Sequence, residues 1–150
     1  MSGVIHTIGY ARATQDALVS ALVAARIELL ADVRALPLSR RAGFSKTSLK
    51  AAVEAAGMSY RHFRDLGTPK EGRDAARRGD YVTLQQVFAG QLELPEAMAQ
   101  MAELTTLARE RRTCLLCYCE EPDHCHRALL VDAAFEDWKR IDLHPGELPG

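Results

Sequence analysis

No run of apolar residues in this chain is long enough to cross a bilayer, and the first ten residues, "MSGVIHTIGY", have neither a basic leader nor a sustained apolar stretch before a cleavage site. A membrane span and a secretory signal are therefore not expected, and the cytoplasm is the expected location. Net charge is equally scarce: the formal balance is −1, so the whole molecule has no general attraction for nucleic acid. Aromatic residues make up 6%, which leaves few stacking platforms for single strands. Phosphate-loop and dinucleotide glycine patterns are missing too, since "GYARAT" has only the first of the required glycines. ATP and NAD are not indicated, and no cofactor is assigned.

What is present is an ordinary globular composition, 47% hydrophobic and 26% charged over 150 residues, the size of one domain. Short β-branched runs alternate with helical periodicities. Residues 4–8 read as a strand, 14–25 as a helix capped by Thr14, and 27–33 as a second strand. A helix from Ser45 to Ala56, a strand "MSYRHF", helical patterns over 81–111 divided near Gly90 and Pro95, a strand "TCLLCYCE", a helix over 123–139 and a last strand "RIDLH" follow. The fold class is α/β: a single three-layer domain over 1–150, with a mostly parallel sheet and helices on both faces. The glycine-bounded, charged stretch 67–80 reads as a mobile insertion, and 145–150 as a frayed tail.

Chemistry concentrates in "LLCYCEEPDHCHR", which holds three cysteines, two histidines and an arginine. A reducing compartment makes disulfides among Cys114, Cys117, Cys119 and Cys125 improbable. Cys114 and Cys117 have CxxC spacing, but residues three apart on a strand point to opposite faces and cannot share a metal. Both are read as small core residues. Cys119 lies at the carboxyl end of the strand, where ligands bind in such sheets. With Asp123 as cap, Cys125, His126 and Arg127 fall in the first helical turn, where backbone N–H groups and the helix dipole favour a thiolate or an anion. A metal could draw on Cys119, Cys125, His126 and either His6 or His144. Helical neighbours such as Cys125 and His126 diverge by about 100°, however, so no metal is assigned. A cysteine-phosphatase loop is a poor match, because seven residues separate Cys119 from Arg127 where five are needed.

Several segments together resemble one family, the bacterial and archaeal proteins grouped as domain of unknown function 488. They are "TIGYA", "LLADVRALPLSR" with "GF", "GMSYRHFRDLGTPKEGRD", "GDY", "LLCYCEEPDHCHRALL" and "LHP", in order along nearly the whole chain. The resemblance implies a compact α/β domain without specifying a reaction. It draws attention to Gly9, Asp32, Arg34, Pro37, Ser39, Phe44, Tyr60, Leu66, Gly67, Glu120, Cys125, His126, Arg127 and His144, whereas Cys119 stands where a small residue is expected.

Three functions are compatible with these residues. The first is an enzyme or ligand-binding domain for an anionic, phosphorylated or nucleotide-like small molecule. Cys125 or Cys119 would be its nucleophile or thiol base and His126 or His144 its proton carrier. Arg127 and Arg34 would hold the anion, with Asp32 orienting Arg34 and Gly9, Tyr10, Ser39, Tyr60 and Glu120 completing the ligand site. The second is a nucleic-acid or regulatory module using the basic 34–50 segment, with Arg40, Arg41, Lys46 and Lys50, together with Arg73, Arg77 and Arg78. The third is a rhodanese-like sulfur carrier on Cys119, opposed by Pro122, which removes an amide from the cradle. The oligomeric state is left open, with a homodimer as one candidate.

Overall fold

The computed structural model describes residues 3–39, 41–119 and 125–145. Five parallel strands form one sheet: β1 (Val4–Gly9), β2 (Leu29–Asp32), β3 (Ser59–His62), β4 (Thr113–Cys117) and β5 (Lys139–Leu143), in the order β3-β2-β4-β1-β5. The expected α/β class holds. β4 is shorter than its apolar run suggested, because Tyr118 and Cys119 leave the ladder to begin the loop at the sheet's carboxyl end.

Helices α1 (Gln15–Ala24), α2 (Lys46–Ala55), α3 (Lys70–Arg77), α4 (Tyr81–Leu92), α5 (Pro95–Glu110) and α6 (His126–Ala134) surround the sheet. Thr14 caps α1 by accepting from the Ala17 N–H, and Pro95 opens α5, where its missing N–H is harmless. The break between α4 and α5 therefore falls at Pro95, and Gly90 stays helical. Leu18 and Leu22 of α1 and Leu49 and Val53 of α2 pack with Ile8, Leu30 and Leu116 on one face. Phe88 of α4, Leu104 of α5 and Leu130 of α6 pack with Ile5, Ala31 and Leu115 on the other. Alternation along each strand feeds both cores. Within 67–80 the chain forms α3, which lays buried Gly72 and Ala75 against α4.

The strand order fixes where a ligand can sit. From β1 the chain crosses by α1 toward β2, whereas from the adjacent β4 it crosses by α6 toward β5, on the other face. Connections that leave neighbouring strands on opposite faces of the sheet open a crevice at their carboxyl ends. Among the described residues no helix is long and apolar enough to cross a membrane.

Candidate functional site

A cleft of about 840 Å³ opens at this switch point, within the range of small-molecule sites. Its floor is Cys117, Cys119, Cys125 and His126. One wall comes from the segment after β2, with Arg34, Leu36, Leu38 and Ser39, and from Tyr10 after β1. The opposite wall is Thr68, Arg73 and Arg77 of the α3 region with Tyr81 and Leu84 of α4.

Close backbone approach draws the floor together. Gly9 pairs with Cys117 across the sheet, and a Cβ on Gly9 would lie 1.7 Å from the Cys119 carbonyl oxygen. Only glycine lets the loop after β4 fold back over β1. The Tyr10 and Ala11 N–H groups donate to the carbonyls of Cys117 and Tyr118, which continues the ladder beyond the strands.

Cys125 does not occupy the first turn of α6. It is the capping residue, in extended conformation (φ −139°, ψ 152°), and the helix begins at His126. The 100° divergence expected of helical neighbours therefore does not apply, and Cys125 Sγ lies 3.6 Å from His126 Nδ1. The other ring nitrogen, Nε2, sits 2.6 Å from the Val33 carbonyl oxygen. A carbonyl only accepts, so Nε2 carries the proton and Nδ1 presents its lone pair to the sulfur. Burial favours this neutral ring by lowering its pKa. Asp123, the expected cap, lies outside the described residues.

Cys117 is buried, as read from the sequence, and it also belongs to this cluster. Strand alternation does send Cys114 to the opposite face, where it packs with Leu18 and Leu30. The same alternation puts Cys117 in phase with Cys119, two residues on, and that was the available signal. Sγ of Cys117, Sγ of Cys125 and a ring nitrogen of His126 lie within 4.8 Å of one another, all on buried residues. His6 stays buried in β1, and His144 is exposed and does not line the cleft.

Thiol hydrogen bonds grade the three sulfurs. Burial, then donation to Cys119 and Cys125, holds the Cys117 thiol well above its ordinary range. A hydrogen bond from Cys117 favours the Cys119 thiolate, but donation to Cys125 and burial push Cys119 up to about 11. Burial opposes charge on Cys125 as well. Bonds received from Cys117 and Cys119, and the nearby Arg127 guanidinium, outweigh it and hold Cys125 well below the usual thiol value. The four cysteines are free thiols.

The arginines divide. Arg127 is 1% exposed, donates from Nη2 to the Cys119 carbonyl at 2.9 Å, and is not among the described residues lining the cleft. Arg34 reaches the cleft with its charge already matched, since Nε and Nη2 bond both oxygens of fully buried Asp32 at 2.8 and 2.7 Å. Its Nη1 donates to Tyr10 Oη and to the Phe44 carbonyl. Tyr60 hydroxyl donates to the same Asp32 and stays behind the cleft. Arg73 instead rests on a neutral acceptor, the Thr68 carbonyl, at 2.8 Å, and Arg77 pairs with Asp74 at the exposed rim. Sequence reasoning placed both only in a nucleic-acid face. Their spacing of four on a helix was the signal that they share one side.

Of the other expected site residues, Tyr10, Ser39 and Cys119 line the cleft, and Glu120 lies outside the described residues. The basic 34–50 segment is partly consumed internally. Arg41 donates to the Tyr10, Ala11 and Ala13 carbonyls, Arg40 lies outside the described residues, and Lys46 and Lys50 are exposed.

The all-parallel sheet with helices on both faces defines an α/β domain with a crevice at its switch point. The chain belongs to the family described as domain of unknown function DUF488, whose model matches residues 14–134. Neither the curated proteins nor the solved structures contain a match to it.

Proposed function

We propose that the protein binds an anionic, phosphorylated or nucleotide-like small molecule in this cleft and acts on it with the sulfur–imidazole floor. The observation that carries the reading is the composition of one cleft. Leu36, Leu38 and Tyr118, 56%, 75% and 54% exposed, offer an apolar wall; Arg73 and Arg77 offer cations opposite; Cys125 and His126 close the far end. A ligand with a planar or apolar body and a charged end meets all three, because its body covers the exposed apolar wall and its charge meets Arg73, which rests on a neutral carbonyl. Arg73 is the main anion contact, since Arg34 is already neutralised by Asp32. Arg127 supports the floor from behind. Cys125 is the leading sulfur, and free thiols at the floor fit a reducing compartment such as the cytoplasm.

Calorimetric titration of a nucleoside monophosphate and of inorganic pyrophosphate into the full chain tests this. Binding should weaken about tenfold in Arg73→Ala, the worth of one charge-assisted hydrogen bond, and should be unchanged in Lys50→Ala, on the outer face of α2. Equal affinities in wild type and in an Arg73→Ala/Arg77→Ala double variant would overturn the proposal.

A further inference from the structure

We infer that Cys117, Cys125 and His126 form a zinc site at the floor of the cleft, with its remaining coordination position turned toward the bound molecule. The three ligand atoms come from two separate elements, the end of β4 and the start of α6, and converge within 4.8 Å. With metal–sulfur bonds of about 2.3 Å and metal–nitrogen bonds of about 2.0 Å, tetrahedral coordination sets sulfur and nitrogen about 3.5 Å apart. Cys125 Sγ and His126 Nδ1 stand at 3.6 Å, so the pair is already at bite distance.

The histidine is also oriented as a ligand. Its Nε2–H is committed to the Val33 carbonyl at 2.6 Å, which fixes the tautomer and aims the Nδ1 lone pair at the sulfurs. A carbonyl or carboxylate on the far ring nitrogen is the usual outer partner of a metal-bound imidazole. Phe88, edge-on to the ring at 5.3 Å, limits its rotation. Two thiolates and an imidazole are a soft donor set that selects zinc over magnesium or calcium.

All three residues line the cleft, so the ion would face it. Three protein ligands with one position open is the arrangement of a catalytic metal, whereas a structural zinc is closed by four. Cys119 lines the same cleft but is not one of the three converging ligands. Binding requires both sulfurs as thiolates, so whatever proton Cys117 or Cys125 still carries is released to solvent. This inference does not rest on the anionic ligand, although the ion would meet that ligand at the same end of the cleft.

The test is titration of cobalt(II), as a spectroscopic substitute for zinc, into the reduced, chelator-treated full chain. One equivalent should produce a thiolate-to-cobalt charge-transfer band and the strong visible bands of tetrahedral coordination, both erased by one equivalent of zinc. Cys117→Ser and Cys125→Ser should each weaken cobalt binding more than tenfold with circular dichroism unchanged. Should Cys125→Ser fail to fold, Cys117→Ser reads the same site from the other element. Absence of the charge-transfer band in wild type, or its persistence in a folded serine variant, would overturn the inference. Nucleotide binding by metal-free protein, lost in Arg73→Ala, would leave the anion proposal standing when the cobalt result is negative. A normal cobalt spectrum with no anion binding would do the reverse.

Discussion

His126 donates its Nε2–H to the carbonyl of Val33, a residue 93 positions earlier in the chain, and the bond decides which ring nitrogen faces the thiols. One backbone acceptor just past β2 thus sets the tautomer at the start of α6. Replacing the ring tests this. His126→Gln should keep the fold within about 2 kcal/mol by urea denaturation, the scale of one buried hydrogen bond, while changing the alkylation rate of Cys125.

Asp32 and Arg34 are the other buried link. Asp32 accepts from Arg34 Nε, Nη2 and backbone N–H and from Tyr60, with no exposure. Removing one partner strands a buried charge, so Asp32→Ala should cost about 3–5 kcal/mol in urea unfolding. Tyr60→Phe, which removes a single donor, should cost about 1–2 kcal/mol.

Gly9→Ala should displace the loop after β4, because the added methyl meets the Cys119 carbonyl at 1.7 Å and backbone on both sides cannot yield. A loss of about 3 kcal/mol is expected from this overpacking. Gly57→Ala is the control. Nothing lies within 4 Å of its Cβ, and only the positive φ of +89° is strained, at about 1 kcal/mol.

Arg127→Ala should act on stability more than on ligand affinity, since the side chain is buried and bonds the Cys119 carbonyl from outside the cleft lining. Loss of that charged hydrogen bond is worth about 2–3 kcal/mol. Equal melting temperatures for the variant and wild type would contradict this placement.

Asp80 caps α4 by accepting from the Thr83 hydroxyl and N–H, which holds its carboxyl below the ordinary 3.8. A folded-state value below the unfolded one stabilises at pH above 3.8 and loses that contribution as pH falls through the folded value. Asp80→Ala should therefore lower Tm at neutral pH, with the difference shrinking in strong acid.

The fold was legible in the sequence because periodicity changes sharply between strands such as 4–8 and helices such as α1, and because Thr14, Gly57 and Pro95 punctuate the chain. Part of the cleft lining was legible for the same reason: Tyr10, Arg34, Cys119 and Cys125 all follow strand ends or precede a helix. The partners were not. Alternation separates Cys114 from Cys117 and rules out a joint CxxC site, but it does not show that Cys117 meets Cys125 and His126, which arrive from a different element. Arg73 joins the cleft only through the packing of α3 on α4, a contact between segments that sequence patterns cannot register. Arg127 looked like an anion ligand by its place at a helix start, and its burial against the Cys119 carbonyl depends on how the loop returns over Gly9.

The most direct measurement is a crystal structure of the full chain soaked with a nucleoside monophosphate. The phosphate is expected within hydrogen-bond reach of Arg73 or Arg77, with an oxygen over Cys125 and His126 and the base against Leu36, Leu38 or Tyr118. A nucleotide held instead on the exposed lysines of α2, with the cleft empty, would contradict the assignment of the cleft as the functional site.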